Sequence, residues 1–433
     1  MKYYIETFGC QMNVHDSEKI SGILRAGGHT CSSTPADADI LIFNTCCIRE
    51  KAEQKFFSRL GRLKNLKKRK PGLRIVVAGC IAQQQAETLF RRAPYVDYVI
   101  GPQNIHVLRD LELLAAHAVA CQDNPLIAET QYETDRSEGV KAWVTIMYGC
   151  NNYCSYCIVP FTRGREVSRP SRNIIDEVKR LADDGVREIT FLGQNVNSYR
   201  SDIDFPGLLG LADRVGGISR IRFVTSHPKD LSEGLVHSIR DLDKVCEHIH
   251  LPLQSGSSRI LRLMNRKYTF EDYYGKIAAL RRAVPDIAIT TDIIAGFPGE
   301  TAEDHEATVR AITEIGFDGM FAFKYSARPE TAASKLDGQL DEELKSERLN
   351  EIIEIQNHIT DLKNRPLKGR IERILAETCA ESAGGLVIQG RTRTNKIVNC
   401  HVPPECGCAY SPGDLLDVEI TRPARHTLTG VLK

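Results

Sequence analysis

The 433-residue chain predicts an α/β fold in three blocks: an N-terminal parallel α/β domain, a central partial (β/α)6 barrel and a small C-terminal antiparallel β-barrel. Three observations predict it. Before residue 120, short apolar runs alternate with charged helical stretches; from Trp143, six more such runs alternate with helices; beyond residue 369 apolar and polar positions alternate with the period of a strand. The boundaries that follow are 1–120, a linker at 121–139, 140–368 and 369–433.

In the first block the strands are "YYIETFG", "DILIFNTC", "LRIVVAGC" and "VDYVIG", with helices between them. "QDNPLIAETQYETDRSEG" is polar and weakly periodic, as a linker or crossing strand is. The central strands are "WVTIM", "REITFLG", "RIRFVT", "HIHLPL", "IAITTDII" and "GMFAFKY", alternating with helices such as "NIIDEVKRLADD" and "YYGKIAALRR". A doubly wound sheet is the alternative, and both architectures put their chemistry at strand C-termini. A charged helix over 341–363 leads into the last block, where "GGLVIQGRTRTNKIVN" and "GDLLDVEITRP" read as barrel strands.

Composition narrows the function. A net charge of +1 confines any nucleic-acid affinity to local clusters. The opening "MKYYIETFGCQMN" is no secretory signal and no apolar stretch approaches the roughly 18 residues of a bilayer span, so a cytoplasmic protein without a membrane partner is expected. Fourteen cysteines in a reducing compartment point to thiol or metal chemistry rather than disulfides.

Six cysteines have suggestive positions. Cys150, Cys154 and Cys157 follow the first central strand as C-x3-C-x2-C, one ligand short of a closed tetrahedral site. Such a set is either a zinc knuckle completed from elsewhere or a cluster with an open position. Cys10, Cys46 and Cys80 each follow a strand of the first block, so parallel strands would gather them at one edge as a second three-thiolate site; three unrelated core cysteines are the alternative. Cys47 could replace Cys46 as ligand, but a helical turn starting near it would tuck it away. Cys400, Cys406 and Cys408 in "NCHVPPECGC" could ligate zinc, although a thiol-rich loop accounts for them more simply.

Polar residues gather at the same central strand ends. Gly193, Gln194, Ser226, Gln254 and Asp292 can receive a polar cosubstrate or merely satisfy loops. The run "AGFPGE" lacks the Gly-Lys-Ser/Thr of a phosphate loop. Arg163, Arg165, Arg169 and Arg172 in "FTRGREVSRPSR" suit phosphate contact or form a solvated face, as does "RLGRLKNLKKRKPG". His227 and His250 lack metal-ligand spacing and read as hydrogen-bonded site or core residues.

The stretches "TFGCQMN", "NTCCIREKAEQK", "GCIAQ", "YGCNNYCSYCIVPFTRGREVSRP", "LGQNVNSY", "TSHPKD", "HLPLQSGSSRILRLMNRKYT" and "TTDIIAGFPGET" resemble the radical S-adenosylmethionine (SAM) methylthiotransferase family across essentially the whole chain. The resemblance implies two [4Fe-4S] clusters, one on Cys150, Cys154 and Cys157 with SAM at its open iron, the other on Cys10, Cys46 and Cys80 holding the sulfur to be delivered. It also implies that Gly296 shapes the SAM pocket with its backbone. The last block resembles a TRAM domain, in which Arg391, Arg393 and Lys396 would grip RNA.

"CQMN", "GREVSRP" and "LMNRKYT" favour the branch that inserts a methylthio group at C2 of N6-(dimethylallyl)adenosine at position 37 of tRNA. In that branch SAM is cleaved to a 5′-deoxyadenosyl radical, and a second SAM supplies the methyl group. An electron donor, a sulfur-donor protein and a monomeric enzyme are the further expectations. Other branches modify a ribosomal-protein aspartate or threonylcarbamoyl-adenosine in tRNA. A non-catalytic zinc-bearing RNA-binding protein is the reading outside the family.

Overall fold

The computed structural model describes residues 1–47, 50–115, 117–136, 139–382, 385–402 and 409–433. It divides into two compact units, one of Met1–Ser137, Tyr148–Asn151 and Cys157–Val167, the other of Glu138–Met147, Asn152–Tyr156 and Ser168–Lys433.

In the first unit the strands are Lys2–Thr7 (β1), Thr30–Cys31 (β2), Ile40–Thr45 (β3), Arg74–Gly79 (β4), Tyr98–Ile100 (β5) and Ala118–Ala120 (β6). They form one sheet in the order β2-β1-β3-β4-β5-β6, and every pairing is parallel. The helices are Gln11–Ala26 (α1), Glu50–Arg69 (α2), Cys80–Gln85 (α3), Thr88–Arg92 (α4) and Val159–Arg163 (α5). β3 is buried along its whole length because both faces are covered: Leu41 and Phe43 join Phe56, Leu60 and Leu63 of α2, while Ile40 and Ile42 join Ile20 and Leu24 of α1. That double burial is why the strand reads as a continuous apolar run. The basic stretch is therefore the outer face of α2. The described residues of the segment expected as a linker form no strand; its Asp135 accepts from Ser21 and Arg25 of α1 at 2.6 and 2.8 Å.

In the second unit Lys141–Thr145 (β7) is followed by Met147–Tyr148 (β8) and Val167–Ser168 (β9), the short pair flanking the cysteine loop, part of which belongs to the first unit. Glu188–Leu192 (β10) and Arg220–Phe223 (β11) complete a parallel sheet with β7; His248–His250 (β12), Ala288–Ala295 (β13) and Gly319–Lys324 (β14) form a second. The sequential order within each sheet is that of a partial barrel, not of a doubly wound sheet. The helices are Ser171–Asp183 (α6), Phe205–Asp213 (α7), Glu233–Asp241 (α8), Ser258–Leu263 (α9), Phe270–Ala283 (α10), Ala302–Ile315 (α11) and Glu342–Asn364 (α12). Ile174, Val178 and Leu181 show the spacing by which α6 meets the sheet. Asp341 caps α12 by accepting from the Leu344 N–H at 2.8 Å.

The last five strands, Ile371–Ser382 (β15), Gly385–Thr392 (β16), Ile397–Val402 (β17), Leu415–Pro423 (β18) and Thr427–Leu432 (β19), close a barrel in the order β15-β16-β17-β19-β18. Cys400 lies wholly inside its core, which removes it from the thiol-rich loop; Cys406 and Cys408 lie outside the described residues. No described helix is long and apolar enough to cross a membrane.

Candidate metal and cosubstrate centre

Parallel strands β1, β3 and β4 are neighbours, so their C-termini share one edge, and the three cysteines that follow them lie along it. Cys10 is the N-cap of α1, Cys46 follows β3, and Cys80 opens α3. Their thiols pair across the edge, Cys10 with Cys46 and Cys80 with Cys47. The hydrogen bond from Cys46 brings Cys10 down to about 6, and the one from Cys47 brings Cys80 down to about 7, with Arg163 adding to both against the cost of burial. Cys47, the donor in its pair and buried, is pushed up. Cys47 is wholly buried in the core beside the sheet, next to Cys80 and Thr162.

Two glycines shape the turns. A Cβ on Gly79, at φ +89°, would lie 2.5 Å from both Asn44 Oδ1 and the Thr45 carbonyl; one on Gly9 would lie 2.6 Å from Cys46 Cβ. Behind the thiols is a pair of asparagines the sequence reading missed. Asn13 Oδ1 accepts from the Cys10 N–H and thiol, each at 3.4 Å, while its Nδ2 donates to Asn44 Oδ1 and the Thr45 carbonyl. The signal was present as the Asn three residues after Cys10 and two before Cys46.

Cys150, Cys154 and Cys157 lie in the loop between β8 and α5. Gly149, at φ +68°, has no room for a Cβ beside the Arg165 carbonyl, and the Cys150 N–H donates to the Gly164 carbonyl at 3.2 Å. Within the second unit the loop rests on the chain after α9: Ser155 Oγ donates to the Leu263 carbonyl, and Asn265 Nδ2 to that of Tyr153, both at 2.8 Å. Arg266, buried and absent from the sequence reading, donates to Cys154 Sγ at 3.4 Å and to the Pro252 carbonyl at 3.0 Å. None of the described cysteines is in a disulfide, and among the described residues no three His, Cys, Asp or Glu side chains converge on a single metal ion.

The central strand ends hold unspent polar groups. Both amide atoms of Gln194 and the hydroxyl of Ser226 are buried without a partner among the described residues, as is Asn195 Oδ1; the Nδ2 of Asn195 donates to Asp230. Gly193 has Met147 Cγ 2.4 Å from where a Cβ would stand, and Thr225 takes φ +69° just before Ser226. Gln254, at φ +75°, donates its N–H to the Asp292 carbonyl at 2.9 Å; Asp292 Oδ1 lies 3.5 Å from His250 Nε2. The Gly296 N–H donates to Glu300 Oε1 at 3.1 Å, and Lys345 of α12 occupies the space a Cβ would need. His227 is kept neutral by burial, with Arg266, Lys229 and Lys276 nearby, and accepts from the Lys229 N–H.

The basic residues divide. Arg165 is exposed, and Arg172 has a side chain 90% exposed, so both can face phosphate. Arg163 is buried against Asp16, and Arg169 is buried against Glu177 at 2.9 Å with its guanidinium on the Thr145 carbonyl. Arg391 pairs with Glu377 at 3.1 Å, Arg393 with Glu247 at 2.6 Å, and Lys396 Nζ donates to Asn364 at 2.9 Å. Arg163 and Arg169 are thus spent inside the fold, while Arg391 and Arg393 each hold an internal partner and keep about a third of the side chain exposed, at 30% and 31%.

The donors fit the groups the resemblance implies: softened buried thiols suit iron–sulfur clusters, and orphaned amide and hydroxyl atoms suit a polar cosubstrate. Residues 2–101 match the family described as "Uncharacterized protein family UPF0004", and residues 144–312 the Radical SAM superfamily. The chain is 53% identical, over 99% of its length and 97% of the relative's, to the tRNA-2-methylthio-N(6)-dimethylallyladenosine synthase of Thermodesulfovibrio yellowstonii. Against that of Syntrophus aciditrophicus it is 47% identical over 99% and 93%. Among solved structures it resembles the radical SAM methyltransferase TsrM of Kitasatospora setae, with TM-score 0.57 and 15% identity over 77% of each chain. For the cobalamin-dependent radical enzyme OxsB the values are 0.54 and 13%, over 82% of this chain and 56% of that one. These last two likenesses concern the fold.

Proposed function

The chain belongs to the radical SAM methylthiotransferases, with the tRNA-2-methylthio-N(6)-dimethylallyladenosine synthases, and from that membership we propose that its two cysteine triads divide the reaction between them. The enzyme is a tRNA methylthiotransferase acting on isopentenylated tRNA through radical SAM chemistry. The finer reading is that Cys150, Cys154 and Cys157 hold one [4Fe-4S] cluster and Cys10, Cys46 and Cys80 a second. The gathering of three strand-end cysteines at one edge of the N-terminal sheet is the observation that carries it. When bound, the first cluster supplies the electron that cleaves SAM, and the second an iron on which the sulfur is held.

The protein's own contribution is placement. Gln194, Asn195 and Ser226 offer unpaired polar atoms to the cosubstrate, with Gln254 and Asp292 at the neighbouring strand ends. Arg266 holds Cys154 by a hydrogen bond to its sulfur, and the asparagine pair fixes Cys10 beside Cys46. Arg165 and Arg172 face the tRNA backbone, whose substrate nucleoside is N6-(dimethylallyl)adenosine at position 37, modified at C2. An electron donor and a sulfur-donor protein complete the cycle, the enzyme acts as a monomer, and the functional blocks are 1–120, 140–368 and 369–433 joined by 121–139.

The test is an anaerobic assay of reconstituted enzyme with isopentenylated tRNA, SAM and dithionite, reading 5′-deoxyadenosine and the methylthio nucleoside separately. Cys154→Ala should abolish both products. Cys80→Ala should still release 5′-deoxyadenosine while methylthio nucleoside falls below detection. Continued thiolation by Cys80→Ala would refute the division of labour. Incubation with ribosomal protein in place of tRNA should leave the peptide mass unchanged.

A further inference from the structure

Arg163 lies six residues after Cys157, yet it belongs to the first unit and not to the surface. Its side chain is 6% exposed, and its Nη2 donates to Asp16 Oδ2 at 2.8 Å. Both ends of the residue are fixed. Its carbonyl accepts from Gln103 Nε2 at 2.9 Å, and Gly164 carries the chain away at φ +77° where a Cβ would meet that same amide. The preceding turn of α5 is anchored too, with Ile158 in the sheet core and Thr162 beside Cys47.

Three helices thus converge at the thiol site. Cys10 and Asp16 come from the start of α1, Cys80 opens α3, and Arg163 ends α5. The guanidinium acts electrostatically on Cys10 and Cys80 as well as on Asp16. A cation buried this deeply requires compensating anions, and Asp16 with the thiolates provides them.

We propose that Arg163 is a positioning residue of the Cys10, Cys46 and Cys80 site that sets the reduction potential of the cluster held there, with Asp16 as its counter-charge. The inference rests on reading that triad as a cluster site. Adding one electron to the cluster makes it one charge more negative. A fixed buried cation favours that state and a buried carboxylate opposes it. One short segment then carries both a ligand of the SAM-side triad and the charge that tunes the other.

The experiment uses the full chain with Cys150, Cys154 and Cys157 all changed to Ala, reconstituted with iron and sulfide and titrated with dithionite under electron paramagnetic resonance. Arg163→Gln should move the midpoint potential downward, Asp16→Asn should move it upward, and Arg163→Lys should stay near the parent. Should Arg163→Gln fail to fold, the upward shift in Asp16→Asn still decides the matter, and its absence overturns the proposal. A loss of iron without a shift in the sites that remain filled makes Arg163 merely structural and also overturns it. If the parent itself binds no cluster, the reading of the triad falls, and this inference with it.

Discussion

At the scale of single residues, the thiols owe their placement to neighbours that carry no metal chemistry themselves. Asn13 is wholly buried and uses both ends of its amide, holding Cys10 at one and bridging to Asn44 and the Thr45 carbonyl at the other. Replacing it by Ala takes the partner from four polar groups, of which Asn44 Oδ1 and the Thr45 carbonyl are in buried bonds, each costing about 1–3 kcal/mol when left unpaired. Asn13→Ala should therefore lower stability by at least about 2 kcal/mol, seen as an earlier urea midpoint of the metal-free protein. It should also reduce iron at the N-terminal site by more than at the other. An unchanged midpoint would mean that water replaces the amide. The cysteines were legible because each follows an apolar run directly. Asn13, Arg163 and Arg266 were not, since a polar residue's burial depends on what other parts of the chain bring against it.

At the scale of elements, the strand ends carry the site because a parallel sheet puts every C-terminus on one edge. This much was legible: apolar runs with a cysteine just beyond them predicted β1, β3 and β4 and their common edge. The turns that aim the cysteines are less visible in sequence. Gly79 takes φ +89° and ψ −155°, a region essentially reserved for glycine, and leads directly into Cys80 at the start of α3. Gly79→Ala should cost roughly 1–3 kcal/mol in backbone strain alone, before the clash with Asn44 and the Thr45 carbonyl is added. The turn from β4 to α3 would shift and carry Cys80 with it. Iron bound by the variant should fall towards half of the parent's, with 5′-deoxyadenosine formation retained; full iron loading would show that the turn can accommodate a methyl group. Gly296 is the contrasting case. Its sequence context suggested a backbone facing the cosubstrate, and the structure adds that φ +72° and Lys345 of α12, placed through long-range packing, both require a glycine there.

At the scale of the whole chain, the C-terminal barrel is attached to the central sheets by arginines reaching from strand β11. Arg220 donates to the Arg373 carbonyl at 2.8 Å and to that of Arg391, while Arg222 donates to the carbonyls of Thr392 and Arg393 at 2.7 and 2.9 Å. Arg222 also pairs with Glu188 of β10 at 2.9 Å, both side chains being buried. In return, Arg393 of the barrel reaches Glu247 and the carbonyls of Asp243 and Val245. Arg393 of "GRTRTNK" thus helps fix the barrel at the N-terminal ends of the strands, opposite the edge that carries Gln194 and Ser226. Arg222→Met keeps the length of the side chain but leaves Glu188 charged and alone and two barrel carbonyls without their donor. Breaking a buried pair in this way costs about 3–5 kcal/mol. The expected result is a lower melting temperature together with faster amide exchange in residues 391–396. Binding of tRNA should weaken because the barrel is no longer held in register, while SAM cleavage without tRNA should continue at near the parent rate. If Arg393→Ala weakened tRNA binding without any change in exchange over 391–396, that arginine would be contacting RNA directly, and the attachment would not be its role.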